Sequence, residues 1–480
     1  MNRPIMHLYL VVVLLFAGLV YATSLRTVFQ AKALRDNPLN RRSLIQEQTI
    51  PRGAIRASDG TLLARSVKGA NGLYHRVYPP SADLVAHALG YSFITIGRAG
   101  VEQSDNDDLT GARSGIQNII DQIVGHKRQG DDVTLTLDPR IQKVAIDGLA
   151  GRKGSVVALD PRTGAVRAMA SVPGYSPDAL TSTSRYQQLN RSPGSPLFNR
   201  ATQAGYPPGS TFKVVTAIAA IDSGHFTPAS TVDGKNGVKI SGVPLNNDFN
   251  QSFGPVDLTT ALTKSINTVW AQVAEQLGKA TMKTYMDRLG FDRKPPLDYP
   301  ANQRRASGEY KGGNLLSPNS RFVDVGRMGI GQDKLAVTPL QMAMVAAAVA
   351  NGGKLMKPQL TQRVVDRDGR TVRSLRPKVL DQVMKPQTAQ AVGQMMSQVV
   401  KEGTGTAAAL SGITVAGKTG TAEVGAPGSN INQVWFICFA PVEHPQAVVA
   451  VTVERAAGFG GTVAAPVAKS VLQAMLGGAA

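Results

Sequence analysis

The sequence predicts an α+β fold in three parts: an apolar N-terminal helix, a small strand-rich module, and a larger domain whose sheet is assembled from distant parts of the chain and covered by helices. Three observations predict it. An uncharged apolar run opens the chain, strand-turn-strand patterns occur both just after residue 153 and again beyond residue 430, and helical runs lie between those two patterns. A length of 480 residues accommodates two or three domains, each with its own core. The boundaries fall at residues 1–25 for the apolar anchor, 26–150 for the strand-rich pedestal and 151–480 for the large domain.

Taking the elements in order, "HLYLVVVLLFAGLVYATSL" dominates the interval between Arg3 and Arg26, which holds no charge. As a helix that interval spans about 33 Å, close to the hydrocarbon thickness of a bilayer. A transmembrane anchor and a cleaved signal peptide ending near Ala22 both fit it. The following Arg26, Lys32, Arg35, Arg41 and Arg42 conflict with a simple positive-inside assignment of an exported C-terminus. In "TIPRGAIRASDGTLLARS" short apolar runs alternate with turn signals, and Asp59-Gly60 reads as a hairpin turn. "EQSDNDDLTG" is acidic but lacks the spacing and closing glutamate of a calcium loop, so it reads as a solvated loop.

"DDVTLTLD" alternates as a strand, and "PRIQKVAIDGLA" opens a helix with proline at its first position. A hairpin follows in "GSVVALDPRTGAVRAMAS", turning at Pro-Arg-Thr-Gly. A second hairpin lies in "VWFICFAPVEHPQAVVAVTVER", and "GTVAAPVAKSVLQAML" reads as a closing helix with Val467, Val471 and Leu472 near one face. Cys438, the single cysteine, sits in the apolar run and reads as a buried strand residue, without disulfide or CxxC chemistry.

With 52 Lys+Arg against 33 Asp+Glu the chain carries +19, which suits an anionic lipid surface or cell wall. No zinc-finger spacing or other nucleic-acid motif accompanies the charge, so nucleic acid is not the expected partner.

Chemistry concentrates in three short motifs. In "GYPPGSTFKVVTAIAAI" a helix beginning near Ser210 puts Lys213 one turn along, on the same face, where the two side chains can touch. Burial and the positive end of the helix dipole both disfavour the lysine's charge, so Lys213 can act as a base for a nucleophilic Ser210 aimed at an acyl group. The free backbone N–H of Ser210 at the helix start can help hold an oxyanion. As an alternative, Ser210 merely caps the helix and Lys213 faces solvent. Downstream, "LTKSINTVWAQVAEQLG" puts Ser265 and Asn267 at the head of a second helical run, whereas the similar Ser317-Pro318-Asn319 lies in a loop. "ITVAGKTGTAEV" then holds Lys418, Thr419, Gly420 and Thr421 on a strand, where a lysine and hydroxyls can bind a carboxylate and glycine admits close approach of substrate backbone. No GxSxG elbow or histidine motif supports a Ser-His-Asp hydrolase.

In this order, SxxK, SxN and KTG resemble the signature of penicillin-recognising serine enzymes. "YPPGSTFK" and "GKTGTAE" are similar to the class B penicillin-binding transpeptidases, with actinobacterial members of this length nearest. "RGAIRASDGTLLA" and "GIGQDKLAVTPLQMAMVAAAVANGGKLMKP" extend the resemblance over most of the chain. Members commonly carry Asp-Arg-Asn where this chain has Arg56-Ala57-Ser58-Asp59, a departure confined to the pedestal. The resemblance implies a five-stranded antiparallel sheet and a peptidoglycan D,D-transpeptidase inhibited by β-lactams. It assigns Ser210 as acylated nucleophile, Lys213 as base, Ser265 as proton relay and Asn267 as holder of a substrate amide. Lys418, Thr419, Gly420 and Thr421 line the site for the donor's terminal carboxylate, with the N–H groups of Ser210 and Thr421 as oxyanion hole. It implies no cofactor or metal, stem peptides and β-lactams as ligands, a single-pass anchor in the cytoplasmic membrane with the catalytic domain outside, and a SEDS-type glycosyltransferase or other wall-assembly protein as partner. A β-lactamase or β-lactam sensor of the same fold is the alternative.

Overall fold

The computed structural model describes residues 3–30, 47–112, 128–424 and 431–477. The apolar segment is a helix, Arg3–Ser24, that buries none of its residues. With the turn that follows, it gives one stretch, Arg3–Val28, long and apolar enough to cross a membrane. Of the basic flank, Lys32, Arg35, Arg41 and Arg42 lie outside the described residues.

The large domain is organised by a five-stranded sheet in the order Ala416–Glu423, Ile431–Ala440, Ala447–Ala457, Gly154–Leu159, Val166–Val172. Every neighbouring pair is antiparallel, and Val448 to Val453 register against Leu159 to Gly154, which joins the two hairpins. Strands buried on both faces read as continuous apolar runs, because successive side chains point to opposite faces and both must be apolar. In "VWFICFA" the residues Trp435, Ile437 and Phe439 join one core. Val434, Phe436 and Cys438 join the other. The first face is covered by Lys213–Asp222, Pro339–Ala350 and Pro386–Lys401. The second is covered by Pro139–Leu149 and Ala465–Met475, with Val467, Val471 and Leu472 buried as expected. Pro339–Ala350 is apolar all round and buried at every position, as a helix inside a large domain must be. Cys438 is fully buried, and that burial raises its thiol pKa, which leaves it inert.

The pedestal holds a six-stranded sheet in the order Thr371–Ser374, Thr361–Val365, Asp132–Leu135, Ile55–Arg56, Leu62–Lys68, Tyr74–Val77. Its first two strands come from far down the chain, so a hairpin of the large domain completes the pedestal sheet. Arg373 on that hairpin pairs with Asp105 and Asp108, and Thr361 donates to Asp105. The Asp59-Gly60 turn does link two antiparallel strands.

One expectation fails here. "EQSDNDDLTG" is not a solvated loop: it forms the short helices Gly100–Ser104 and Asn106–Leu109, and Glu102 is completely buried. The reason is a charge cluster the sequence does not display. Glu102 pairs with Arg76 and Arg52 and accepts from Tyr78. Burial alone pushes a carboxyl up, but the two guanidiniums hold Glu102 below its ordinary value. Removing one partner from such a buried set leaves uncompensated charge, at a cost of about 3–5 kcal/mol. Glu102→Ala is therefore expected to lower the urea unfolding midpoint of the full chain by that amount of stability, and an unchanged midpoint would show that the cluster is solvated.

Candidate active site

Ser210 lies in a tight helical turn, Gly209–Phe212, that feeds the buried helix Lys213–Asp222. Several contacts fix this turn. Thr211 Oγ1 donates to Pro208 O at 2.8 Å, Trp435 Nε1 donates to Pro207 O at 2.9 Å, and Gly209 N donates to Gly331 O at 3.0 Å. Gly209 has φ +51° and abuts the KTG strand: a Cβ there would lie 2.7 Å from Thr421 O and 3.1 Å from Thr421 N. Only glycine permits both the conformation and the approach. The turn that carries Ser210 and the backbone of Thr421 are therefore in direct contact.

Ser265 sits between the helices Leu258–Thr263 and Asn267–Arg288, at φ 59°, in the left-handed region that a non-glycine residue occupies at a cost of order 1–2 kcal/mol. That conformation carries its hydroxyl between two lysines. Lys213 Nζ donates to Ser265 Oγ at 3.2 Å and to Ser265 O at 2.7 Å, and Lys418 Nζ donates to Ser265 Oγ at 2.9 Å. Lys213 also donates to Asn267 Oδ1 at 2.6 Å. Lys418 reaches Thr419 O at 3.1 Å, and Thr419 Oγ1 bonds Thr404 Oγ1 at 2.6 Å. Lys213 and Lys418 are fully buried, with Ser265, Asn267 and Thr419 nearly so.

Two ammonium groups cannot both keep their charge in this setting. Burial lowers Lys213 to about 7, offset in part by the carboxylate of Asp248. Lys418 is lowered well below its ordinary value, by burial and then by the neighbouring Lys213.

The structure thus brings Lys213, Ser265, Asn267, Lys418 and Thr419 into one hydrogen-bonded network. Ser210 stands beside it, half-buried, and its hydroxyl makes no hydrogen bond among the described residues. The hydrogen bonds of Lys213 Nζ among the described residues go to the SxN segment and none goes to Ser210. Thr421 also lies outside the network, its Oγ1 accepting from Gly460 N at 3.2 Å. Gly420 needs its missing Cβ for a reason internal to the chain, since a Cβ would lie 2.6 Å from Pro208 O. Sequence reasoning missed Asp248 and Asn246, which accept from Asn267 Nδ2 at 3.1 and 3.2 Å. Both lie in an irregular loop whose approach to Asn267 no local pattern encodes. Ser317 and Asn319 stay in a turn, where Asn319 N donates to Ser317 Oγ, and take part in none of these bonds.

Comparison with known proteins gives two family matches: the penicillin binding protein transpeptidase domain over residues 154–473, and the penicillin binding protein A dimerisation domain over residues 52–133. The peptidoglycan D,D-transpeptidase PbpA of Mycolicibacterium smegmatis is 32% identical, covering 99% of either chain. Its counterpart in Mycobacterium tuberculosis is likewise 32% identical, covering 100% of both. Among solved structures, the ceftriaxone acyl-enzyme of M. tuberculosis penicillin-binding protein A superposes with a TM-score of 0.80 at 31% identity, over 90% of this chain and 100% of that one. The D,D-transpeptidase domain of a peptidoglycan glycosyltransferase from Eggerthella lenta gives 0.77 at 34% identity, over 89% and 99%.

Proposed function

This chain belongs to the penicillin-binding protein transpeptidase family, and from that premise we propose how its residues divide the work. It is a serine-type peptidoglycan D,D-transpeptidase, inhibited by β-lactams through an acyl-enzyme. The observation that carries the assignment of roles is the pair of buried lysines joined through Ser265 beside Ser210. Neutral Lys213 takes the proton of Ser210 Oγ as it attacks the carbonyl of the penultimate D-Ala. The N–H groups of Ser210 and Thr421 face the developing oxyanion, in keeping with the close approach of Gly209, next to Ser210, to the backbone of Thr421. Ser265 then relays the proton to the leaving D-Ala amine. Lys418, Thr419 and Thr421 take the terminal carboxylate, with Gly420 keeping their strand close to the turn of Ser210. An arriving carboxylate favours the charged form of Lys418, and repulsion from that charge favours the neutral form of Lys213. Substrate binding thus readies the base. Asn267 offers a substrate carbonyl the Nδ2 hydrogens now given to Asn246 and Asp248. The test is labelling by a fluorescent penicillin, which requires Ser210.

The acyl group passes to an amine of a neighbouring stem peptide and is lost to water only slowly. Between Asn267 and Lys418 the glutamates are Glu275, Glu309 and Glu402. Glu275 accepts from Ser241 N, Glu309 is buried and accepts from Lys334 N, and Glu402 is exposed. None is in the hydrogen-bonded network, so none is placed to activate a deacylating water. A chromogenic cephalosporin should show one stoichiometric burst and then slow turnover. Rapid steady-state hydrolysis would instead make the chain a β-lactamase.

The domains divide at residues 1–25, 26–150 and 151–480, with the hairpin 361–374 reaching back into the pedestal. The N-terminal helix anchors the chain in the cytoplasmic membrane, with the catalytic domain outside, where the wall is built. Strand polymerisation comes from a separate, SEDS-type glycosyltransferase, and Ala17 and Gly18 let a neighbouring helix approach closely. A photo-crosslinker placed from Leu14 to Tyr21 should capture a multi-span membrane protein, and capture of lipid alone would contradict this.

A further inference from the structure

We propose that a basic pocket beside the segment leading to the nucleophile binds a free carboxylate of a stem peptide, apart from the carboxylate held at Lys418. The inference rests on the transpeptidase reading and adds a second substrate contact to it. The pocket is a cavity of about 430 Å³ whose lining includes Lys294, Arg304, Arg305, Gln203, Asn302 and Tyr310, and no aspartate or glutamate.

Arg305 is its centre. The guanidinium lies 4.3 Å from the centroid of the Tyr310 ring. It also packs against Gly205, where a Cβ would come within 2.7 Å of Nε. Among the described residues this side chain makes no hydrogen bond or ion pair, and its Nε is buried without a partner. Arg304 spends Nη1 on Pro295 O, and its Nε is also buried and unpartnered. Asp298, whose charge reaches Arg304, gives both carboxylate oxygens to Leu360 N and Thr361 N. Two guanidiniums therefore keep unused donors in a place where unused donors are unfavourable. A guanidinium in contact with an aromatic ring and a glycine, with donors to spare, can offer its fork to a planar carboxylate.

The position fits a substrate contact. Gly205 belongs to the same short segment as Ser210, and Trp435 pins that segment at Pro207. The cavity exceeds what one small ion fills, and Gln203 and Asn302 supply amide groups suited to peptide. Stem peptides carry carboxylates besides the terminal one consumed at the acylation site.

The test uses the full chain in detergent micelles and a probe without D-Ala-D-Ala. N-acetylmuramyl-L-alanyl-D-glutamine, whose α-carboxylate is its single carboxylate, is titrated beside its α-amide, which has none. The free acid should bind about tenfold more tightly, and Arg305→Gln should remove about that factor for the acid while leaving the amide unchanged. Lys294→Gln, at an exposed position, should weaken the acid severalfold and serves if Arg305→Gln lowers the melting temperature. Equal binding of acid and amide, no loss in either variant, or inorganic phosphate displacing the acid at equal concentration would each overturn the pocket's assignment. Labelled penicillin on the wild type separates the two readings. An unlabelled wild type sinks the transpeptidase reading, and a labelled wild type that binds acid and amide equally sinks only the pocket.

Discussion

Ser210→Ala should leave a folded protein that forms no covalent adduct with labelled penicillin. A β-lactam offers a strained acyl group with a carboxylate placed like that of D-Ala-D-Ala, and Lys418 and Thr419 are the proposed site for that carboxylate. Without Oγ there is no atom to acylate. The side chain makes no hydrogen bond among the described residues, so its removal costs little stability. The melting temperature should stay within a degree or two of wild type, on the order of the effect of a neutral surface change. Reversible binding of the antibiotic should persist, because the carboxylate site is untouched. Retained labelling in this variant would move the nucleophile elsewhere.

Lys213→Ala should slow acylation by about 10²–10⁴-fold, the usual contribution of a positioned general base. The same lysine should set the pH profile. Burial brings it to about 7, and only its neutral form can accept the proton of Ser210. The acylation rate of the wild type should therefore rise about tenfold per pH unit below 7 and level off above it. In Lys213→Ala that limb should vanish along with the rate. Asp248→Asn removes the one carboxylate that raises Lys213, and should shift the limb to lower pH without abolishing it. A rate that falls as pH rises through 7 would contradict the base assignment, since it would require the ammonium form.

Much of this was legible in the sequence, and the residues show why. Ser210 and Lys213 are three residues apart, and the turn Gly209–Phe212 runs straight into the helix Lys213–Asp222, so their neighbourhood is set locally. The hairpins Gly154–Val172 and Ile431–Ala457 follow from alternation and turn residues, and their joining into one sheet follows from the need to bury both faces. What stayed hidden depends on contacts between distant segments. The bonds from Lys213 to Ser265 and Asn267 cross half a hundred residues, and Lys418 reaches Ser265 from three times as far. The φ of 59° at Ser265 belongs to the turn that ends the helix Leu258–Thr263, where Ile266 N donates to Ala261 O and Ser265 N to Leu262 O, a place that glycine more often fills than serine. Glu102 was misread for the same reason. Its neighbours in sequence are other acids, while its partners in space are Arg52 and Arg76. The hairpin 361–374, lent to the pedestal sheet, carries no mark of its destination.

The central claim, that an acyl group is carried on Ser210 Oγ, is tested most directly by peptide mass mapping of the full-length protein after reaction with a penicillin. The mass of one intact penicilloyl group should fall on the peptide spanning "GYPPGSTFK", with fragment ions assigning it to Ser210. A penicilloyl mass on any other residue, or no stable adduct at all, would contradict the account.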